Sequence, residues 1–226
     1  MKANIKRIMI AGGSGFLGQA LASHFLKADW DVVILTRSPG DSGLVGRQVG
    51  WDGCTLGDWA PEVEGSVAVI NLTGKSVNCR CNTRNRKEIL DSRVNSTRVL
   101  GEVIGRCHQP PQVWLNASTA TVYRHTFGAP WDETGLTEAT AEAKDRFSVE
   151  VAWAWERALN ETSTPQTRKV DADGHGSGLR KEQRVPGAAS PDQTRTRRPN
   201  GQRAAVRVVD SREGFLQGSG VVHLAQ

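Results

Sequence analysis

The 226-residue chain contains no long hydrophobic run, four cysteines and a single tyrosine. None of its apolar stretches approaches the roughly 20 residues that a membrane-spanning helix requires. The opening residues reach glycine after only four consecutive apolar residues, which is not the pattern of a secretory signal. The cysteines lie at positions 54, 79, 81 and 107 and form no disulfide framework. We therefore expect a cytoplasmic protein with reduced thiols.

Metal and nucleic-acid binding are both poorly supported by the composition. Cys79 and Cys81 form a C-x-C pair, but no second pair or nearby histidine completes a zinc site. The net charge is +5 and the pI is about 9.3, with arginine concentrated in the last third of the chain. Residues 161–226 contain no Trp or Tyr on which bases could stack. Their basic character favours a solvated or disordered tail over a nucleic-acid partner.

Strand and helix patterns alternate along the first 160 residues. Short continuous apolar runs, typical of strands covered on both faces, occupy 8–11, 31–36, 67–72 and 113–117. Apolar residues at helical spacing occupy 17–28, 86–107 and 142–159. In the first helix the predicted stripe is Leu17, Leu21, Phe25 and Ala28. This order predicts an α/β fold with a Rossmann-like, doubly wound parallel sheet.

The composition changes after residue 160. Residues 161–226 contain one aromatic residue, Phe215, and little Leu, Ile or Val. Such a segment buries too little apolar surface to offset the entropy of ordering it. We predict a domain over 1–160 and a low-complexity basic tail over 161–226 that is not a folded domain, so that the sheet is incomplete on its C-terminal side.

A glycine-rich turn joins the first strand to the first helix. The glycines Gly12, Gly15 and Gly18 follow the G-x-x-G-x-x-G spacing of dinucleotide-binding turns. We assign Gly12 to the tight turn, Gly15 to close approach of a pyrophosphate, and Gly18 to packing of the helix on the strand. The predicted phosphate-binding residues are Gly12, Gly13, Ser14, Gly15, Phe16, Leu17 and Gly18. The alternative is a tight strand-to-helix turn without a ligand.

The end of the second strand selects between the two nicotinamide cofactors. A carboxylate at this place binds the ribose 2′-hydroxyl of NAD, whereas an arginine accommodates the 2′-phosphate of NADP. Here Thr36 is followed by Arg37, and the next carboxylate is Asp41. The sequence therefore favours NADP over NAD. The alternative is that Arg37 is an ordinary solvated surface residue.

Several motifs together resemble the extended short-chain dehydrogenase/reductase superfamily of epimerase/dehydratase type. They are N-L-T-G at 71–74, D-S-R-V-N-S-T-R at 91–98, N-A-S-T-A-T-V-Y at 116–123, W-D at 51–52 and W-E at 155–156. The resemblance covers roughly residues 5–170. Within that superfamily, the chain is similar to a sugar nucleotide epimerase-like subgroup whose substrate is unassigned.

The resemblance implies roles for residues after the fourth and fifth strands of that superfamily. Four residues would line the cofactor on its adenine side: Asn71, Leu72, Thr73 and Gly74. Ser118 would face the nicotinamide, and Thr119 matches the catalytic Ser or Thr. Arg93 stands where the superfamily has an active-site Asn. It would either hold an anionic substrate or pair with Glu88 or Asp91. Tyr123 and His125 are further candidates, with structural hydrogen bonding as the alternative for each.

The chain departs from the superfamily at its proton donor. The superfamily uses a Tyr whose pKa is lowered by a Lys four residues later. The corresponding positions here are Phe147 and Val151, neither of which can transfer a proton. Tyr123 matches the non-catalytic Tyr after the Ser/Thr motif. The standard acid is therefore absent.

The tail can be read in a second frame that resembles a continuation of the fold. When it is back-translated and read one nucleotide later, residues 171–181 permit M-R-M-V-M-V-L-G-S-G-K, and residues 197–203 permit G-G-P-M-G-S-G. We hypothesise a frameshift near Val170.

The sequence as a whole leaves three functions open. The first is an NADP-dependent epimerase or reductase of a small or nucleotide-linked substrate. The second is a non-catalytic dinucleotide-binding module, and the third is a basic-tailed protein that recruits nucleic acid.

Overall fold

The computed structural model describes residues 5–126 and 135–172, which form one parallel sheet with helices on both faces. The strands are β1 (Arg7–Ala11), β2 (Asp31–Thr36), β3 (Arg47–Gly50), β4 (Ala68–Asn71), β5 (Val113–Ala117) and β6 (Arg168–Ala172). The α-helices are α1 (Phe16–Lys27), α2 (Thr83–Arg106) and α3 (Arg146–Asn160). Short 3-10 helices occupy Ala60–Val63 and Ala120–Val122. The predicted α/β class is confirmed.

The six strands lie in the order β3-β2-β1-β4-β5-β6, and every neighbouring pair is parallel. The chain winds outward from β1 in one direction through β2 and β3, then returns and winds the other way through β4, β5 and β6. The order reverses between β1 and β4, where Ile8 is in register with both Val32 and Ala68. Ligands of doubly wound sheets bind outside the carboxyl ends of the strands at such a reversal.

Both faces of the sheet are buried, as the unalternating apolar runs predict. Met9 and Ala11 face a core cluster beneath α2 and α3, whereas Ile8 and Ile10 face a second cluster beneath α1. Because successive side chains of a strand point to opposite faces, each apolar run supplies both clusters. The larger cluster contains Trp59 and Trp114, each almost fully buried.

Helix α1 has a different buried face from the predicted one. Leu21 and Phe25 pack against the sheet as expected, but Leu17 is 57% exposed and Ala28 lies beyond the helix on the surface. Gly18 and Ala22 are the buried residues instead. The helix lies so close to the strands that small residues occupy the contact face.

Helix α2 has a defined start and two buried surfaces of different character. The Asn82 side chain accepts a hydrogen bond from the Asn85 N–H at 2.8 Å and caps the first turn. The C-terminal half buries Leu100 and Ile104. The middle of the helix buries the polar residue Thr97, which sequence periodicity does not predict.

The predicted domain boundary at residue 160 is wrong, because strand β6 follows it. Lys169 of β6 is buried, and its Nζ donates to the carbonyl oxygen of Thr162 at 2.5 Å. Burial lowers the pKa of Lys169. The ordered domain therefore continues to at least Ala172. Residues 173–226, where the remainder of the predicted tail and most of the hypothesised alternative frame fall, lie outside the described residues.

Within the described ranges, no helix is both long and apolar enough to cross a membrane. All four cysteines are free thiols, three of them exposed and Cys107 half-buried.

Candidate functional site

The glycine turn between β1 and α1 is built from three glycines that the protein itself requires. Gly12 has a φ of +74°, a conformation that favours glycine, and a Cβ there would lie 3.0 Å from the Thr73 backbone nitrogen. A Cβ on Gly13 would lie 2.8 Å from a side-chain carbon of Ile34. A Cβ on Gly18 would lie 2.5 Å from the Gly13 Cα. The positive φ of Gly12 is the geometry that its predicted turn role requires, whereas Gly18 contacts Gly13 of the turn and not the strand for which its packing role was predicted.

Gly15 differs from these three glycines. Its backbone is extended, with φ −75° and ψ 168°, so any residue could adopt it. Among the described residues, an added Cβ would touch only the Gly12 carbonyl oxygen, at an ordinary 3.5 Å. Neither strain nor packing within the protein demands a glycine here. The missing side chain instead leaves open space at the start of α1.

The first turn of α1 has no side-chain cap, because Gly15 occupies the N-cap position. Its leading N–H groups carry the positive end of the helix dipole and can bind an anion. The turn itself is held by Gln19. The Gln19 Nε2 donates to the Gly13 carbonyl at 2.8 Å, and its Oε1 accepts from the Val45 N–H at 2.9 Å.

A cleft of about 590 Å³ opens beside this turn, at the carboxyl ends of β1, β2, β3 and β4. It brings together seven of the predicted cofactor residues: Gly12, Ser14, Gly15, Arg37, Leu72, Thr73 and Gly74. Gly13, Phe16, Leu17, Gly18, Asn71 and Ser118 do not line it. Its other walls include Trp51, Asp52, Lys75, Glu88 and Asn95.

Arg37 and Asp52 form one end of the cleft. Arg37 is exposed and directly follows β2, and within the described chain its guanidinium is in no ion pair. The Asp52 carboxylate is engaged by its own turn. It accepts from the Cys54 N–H at 2.7 Å, and from the Thr55 N–H and hydroxyl at 2.8 and 2.6 Å. These bonds, the Thr55 hydroxyl first, lower the pKa of Asp52.

Asn71 lies beneath the cleft and is fully buried. Its Oδ1 accepts from the Thr73 N–H at 3.1 Å, which shapes the segment that lines the cleft. Its Nδ2 donates to Asn116 Oδ1 at 2.8 Å and to Thr97 Oγ1 at 3.1 Å. Trp155 Nε1 of α3 also donates to Thr97 Oγ1, at 2.9 Å. Asn71 therefore positions the cleft wall from below.

Arg93 also lies behind the cleft wall. Its Nη1 donates to the carbonyl oxygens of Lys75 and Ile89, at 3.2 and 3.0 Å. Its Cζ lies 5.1 Å from the ring centroid of Trp155, and burial lowers the pKa of the guanidinium. Among the described residues, Arg93 does not form the ion pair with Glu88 or Asp91 that the sequence left open. Glu88 instead pairs with Lys75, and Asp91 pairs with Lys87.

The residues after β5 gather near α3 and not on the cleft wall. Ser118 Oγ donates to Glu156 Oε1 at 2.7 Å. The hydroxyls of Thr119 and Thr121 are hydrogen-bonded to each other at 3.0 Å. Tyr123 is half-buried at the end of a 3-10 helix, and His125 is exposed. Their catalytic roles stay predictions.

Phe147 and Val151 lie on α3 one turn apart. The Phe147 ring lies 4.3 Å from the Arg86 Cζ, and Val151 is 6% exposed. Both make packing contacts of the kind their residue types favour. The described residues contain no group of three His, Cys, Asp or Glu residues suited to hold a metal ion.

Sequence reasoning missed the face of α2 that borders the cleft. Glu88, Asp91, Ser92 and Asn95 lie there, together with Lys75 from the preceding loop. Their spacing at i, i+3, i+4 and i+7 is the available signal, since it places polar residues on one helix face. Apolar periodicity draws attention to the other face.

The fold and the cleft define a doubly wound α/β protein with a glycine turn of the kind found in dinucleotide-binding folds. The chain matches the NAD dependent epimerase/dehydratase family over residues 8–145 and belongs to that family.

Two curated relatives carry similar sequences. Epimerase family protein SDR39U1 of Bos taurus is 30% identical over 130 residues, which are 56% of this chain and 41% of that protein. An epimerase family protein of Staphylococcus saprophyticus is 28% identical over 166 residues, 74% of this chain and 53% of that protein. The chain thus spans about half the length of the curated relatives it matches.

Solved structures show the same architecture. The human epimerase family protein SDR39U1, crystallised with NADPH, superposes with a TM-score of 0.61 at 27% identity. The match covers 76% of this chain and 56% of the human one. UDP-N-acetylglucosamine 4-epimerase from Bacillus cereus shares the fold, with a TM-score of 0.59 at 23% identity and coverage of 74% and 53%.

Proposed function

We propose that the chain binds NADP(H) in the cleft beside the glycine turn, as the nucleotide-binding part of an oxidoreductase or epimerase. The observation that carries this proposal is Gly15, a glycine that neither backbone strain nor packing requires. Its missing side chain opens space at the uncapped start of α1, where backbone N–H groups can receive a pyrophosphate. The residues present fit the cofactor.

The preference for NADP over NAD is proposed from the end of β2. Arg37 lines the cleft and is in no ion pair with the residues that the structure describes, so its guanidinium can form paired hydrogen bonds with a 2′-phosphate. Asp52, the carboxylate on the same side, has both oxygens engaged by its own turn. The NADPH bound to the human relative supports the same choice.

When bound, NADP(H) supplies a hydride donor or acceptor. The chain's own contribution is to bind and orient the dinucleotide: Gly15 and the first turn of α1 at the pyrophosphate, Thr73 and Gly74 along the opposite wall, and Arg37 at the ribose. The substrate class we propose is a small or nucleotide-linked carbonyl or sugar compound, as for members of the family. Thr119 and Tyr123 are the proposed polar contacts of the reacting end.

Equilibrium titrations test the binding proposal. NADPH and NADH are titrated separately into the purified chain while the nucleotide fluorescence is recorded. We expect saturable binding, with NADPH bound more tightly. Absence of binding by either nucleotide would refute the site, and tighter binding of NADH would refute the role of Arg37.

A second candidate, a dinucleotide-binding module without catalysis, is favoured by α3. Phe147 packs on Arg86 and Val151 is buried, at the positions where the superfamily resemblance implies a Tyr and a Lys. Assays with a panel of carbonyl substrates and NADPH separate the candidates. Steady turnover supports the enzyme, whereas binding without turnover supports the module.

A further inference from the structure

Lys75 is a loop residue that α2 holds at three separate points. Its Nζ is paired with the Glu88 carboxylate. Its backbone N–H donates to Ser92 Oγ at 2.9 Å. Its carbonyl oxygen accepts from Arg93 Nη1 at 3.2 Å. One face of α2 therefore fixes both the backbone and the side chain of a single residue on the cleft wall.

The residue before Lys75 packs closely against α2 as well. A Cβ on Gly74 would lie 3.0 Å from the Arg93 Cζ, so the glycine lets the guanidinium lie against the backbone. Ordering a loop and a long lysine side chain costs conformational entropy. The two backbone bonds already hold the loop without any contribution from the lysine side chain. The position of the ammonium group therefore needs a separate explanation.

The charges around Lys75 leave it able to change partner. Glu88 is bound by Arg84 as well, whose Nε lies 2.8 Å from Glu88 Oε1. These two cations lower the pKa of Glu88 to about 2. Asp91, the other carboxylate on this wall, is paired with Lys87. If Lys75 turned to an anion in the cleft, Arg84 would still neutralise Glu88.

We infer that Lys75 is a ligand-binding residue that donates a charge-assisted hydrogen bond to an anionic oxygen in the cleft, with Ser92 and Arg93 as its positioning residues. This inference rests on the proposed dinucleotide function. The anionic oxygen belongs either to the dinucleotide or to a second anionic ligand beside it. In both cases the Lys75 ammonium gives up its ion pair with Glu88 and donates to the ligand instead. Only hydrogen bonds change, and no covalent bond is made or broken.

The test removes the ammonium and keeps the loop. Lys75→Met retains the backbone bonds to Ser92 and Arg93 and removes only the charge. We expect the affinity of the binding partner to fall about tenfold, the equivalent of one charge-assisted hydrogen bond. Lys75→Arg should restore most of it. Lys27→Met is the matched control, since Lys27 ends α1, roughly 16 Å along the helix axis from Phe16.

Two titrations identify the partner. In the first, NADPH is titrated into each variant; in the second, uridine diphosphate is titrated into protein saturated with NADPH. Weaker NADPH binding by Lys75→Met assigns Lys75 to the dinucleotide. Unchanged NADPH binding with weaker uridine diphosphate binding assigns it to the second ligand. Unchanged binding in both titrations, with a parent protein that binds NADPH, overturns the inference.

Glu88→Gln supplies a result of opposite sign. The variant removes the competing carboxylate and leaves the backbone bonds intact, so affinity should rise about two- to fivefold, the range of an exposed ion pair. A merely structural ion pair would instead make Glu88→Gln and Lys75→Met weaken binding alike, and that result would contradict the inference. A parent chain that binds no NADPH would reveal a failure of the proposed function itself.

Discussion

Replacing Gly15 by alanine should separate cofactor binding from folding. The native backbone at Gly15 suits alanine, and within the described part of the chain the new Cβ meets only an oxygen at 3.5 Å. Restricting the unfolded chain stabilises the fold by about 0.4–1 kcal/mol. Losing glycine at a helix N-cap costs about as much. The two effects nearly cancel, so the melting temperature should move by less than about 2 °C.

The same methyl group should obstruct the dinucleotide. It would occupy the space in which a pyrophosphate approaches the first turn of α1. Each lost hydrogen bond from a backbone N–H to a charged oxygen is worth about 1.5–3 kcal/mol, so NADPH affinity should fall at least about tenfold. Gly15→Asp adds a negative charge against the phosphates and should abolish measurable binding.

Gly18→Ala is the matched control for this substitution. Its Cβ would lie 2.5 Å from the Gly13 Cα, where neither backbone can yield easily. Overpacking of this kind costs about 1–3 kcal/mol, so this variant should melt several degrees lower. Melting curves without ligand and NADPH fluorescence titrations supply both readouts. If Gly15→Ala or Gly15→Asp binds NADPH as tightly as the parent, the glycine turn is not the binding site.

Three further outcomes are expected. Arg37→Asp should lower NADPH affinity about tenfold or more and shift the affinity ratio towards NADH; an unchanged ratio in paired titrations would remove Arg37 from cofactor selection. Burial, with a smaller effect of a nearby carboxylate, raises the pKa of Cys107 from 9.0 to about 11. Its thiolate fraction at about pH 8 is then roughly 100-fold below that of an ordinary thiol. Iodoacetamide should therefore label exposed Cys54 first and Cys107 increasingly as pH rises, and peptide mass spectrometry showing equal rates at about pH 8 would contradict this. Trp155→Phe removes the 2.9 Å hydrogen bond to Thr97 and should lower the free energy of unfolding by about 1–3 kcal/mol in urea titrations; an unchanged value would show that the bond contributes nothing net.

The central strands of the sheet could be predicted from sequence because local composition determines them. β1, β2 and β4 are buried on both faces, and β5 is buried on one face and half-buried on the other, so all four read as apolar runs. The two outermost strands of the sheet as far as it is described, β3 and β6, have no such signature. Val49 is the one apolar side chain of β3, whose Arg47 is instead paired with Glu62 at 2.6 Å. These contacts depend on the assembled sheet.

β6 was missed for a related reason. Averaging composition over residues 161–226 concealed a short strand at the start of that segment. The strand includes Lys169 and Asp171, whose charged side chains are typical of a surface segment although both are buried. Lys169 is accommodated because its Nζ meets the carbonyl oxygens of Thr162 and, at 3.4 Å, Asn160, at the C-terminal end of α3. Only the tertiary structure brings those acceptors to it.

The candidate site likewise has one part that the sequence predicts and one part that only the folded structure shows. A motif with fixed spacing identified the glycine turn, since the turn role of Gly12 follows from backbone geometry alone. Contacts between Lys75 and α2 join residues 13 to 18 positions apart. No local pattern encodes such contacts, because Ser92 and Arg93 meet the loop only after α2 has packed on the sheet. The resemblance to a family placed Arg93 at a reacting centre, whereas its hydrogen bonds place it behind the cleft wall. A substitution at Arg93 should therefore act on ligand affinity through Lys75, and a family alignment alone would assign that effect to the wrong atom.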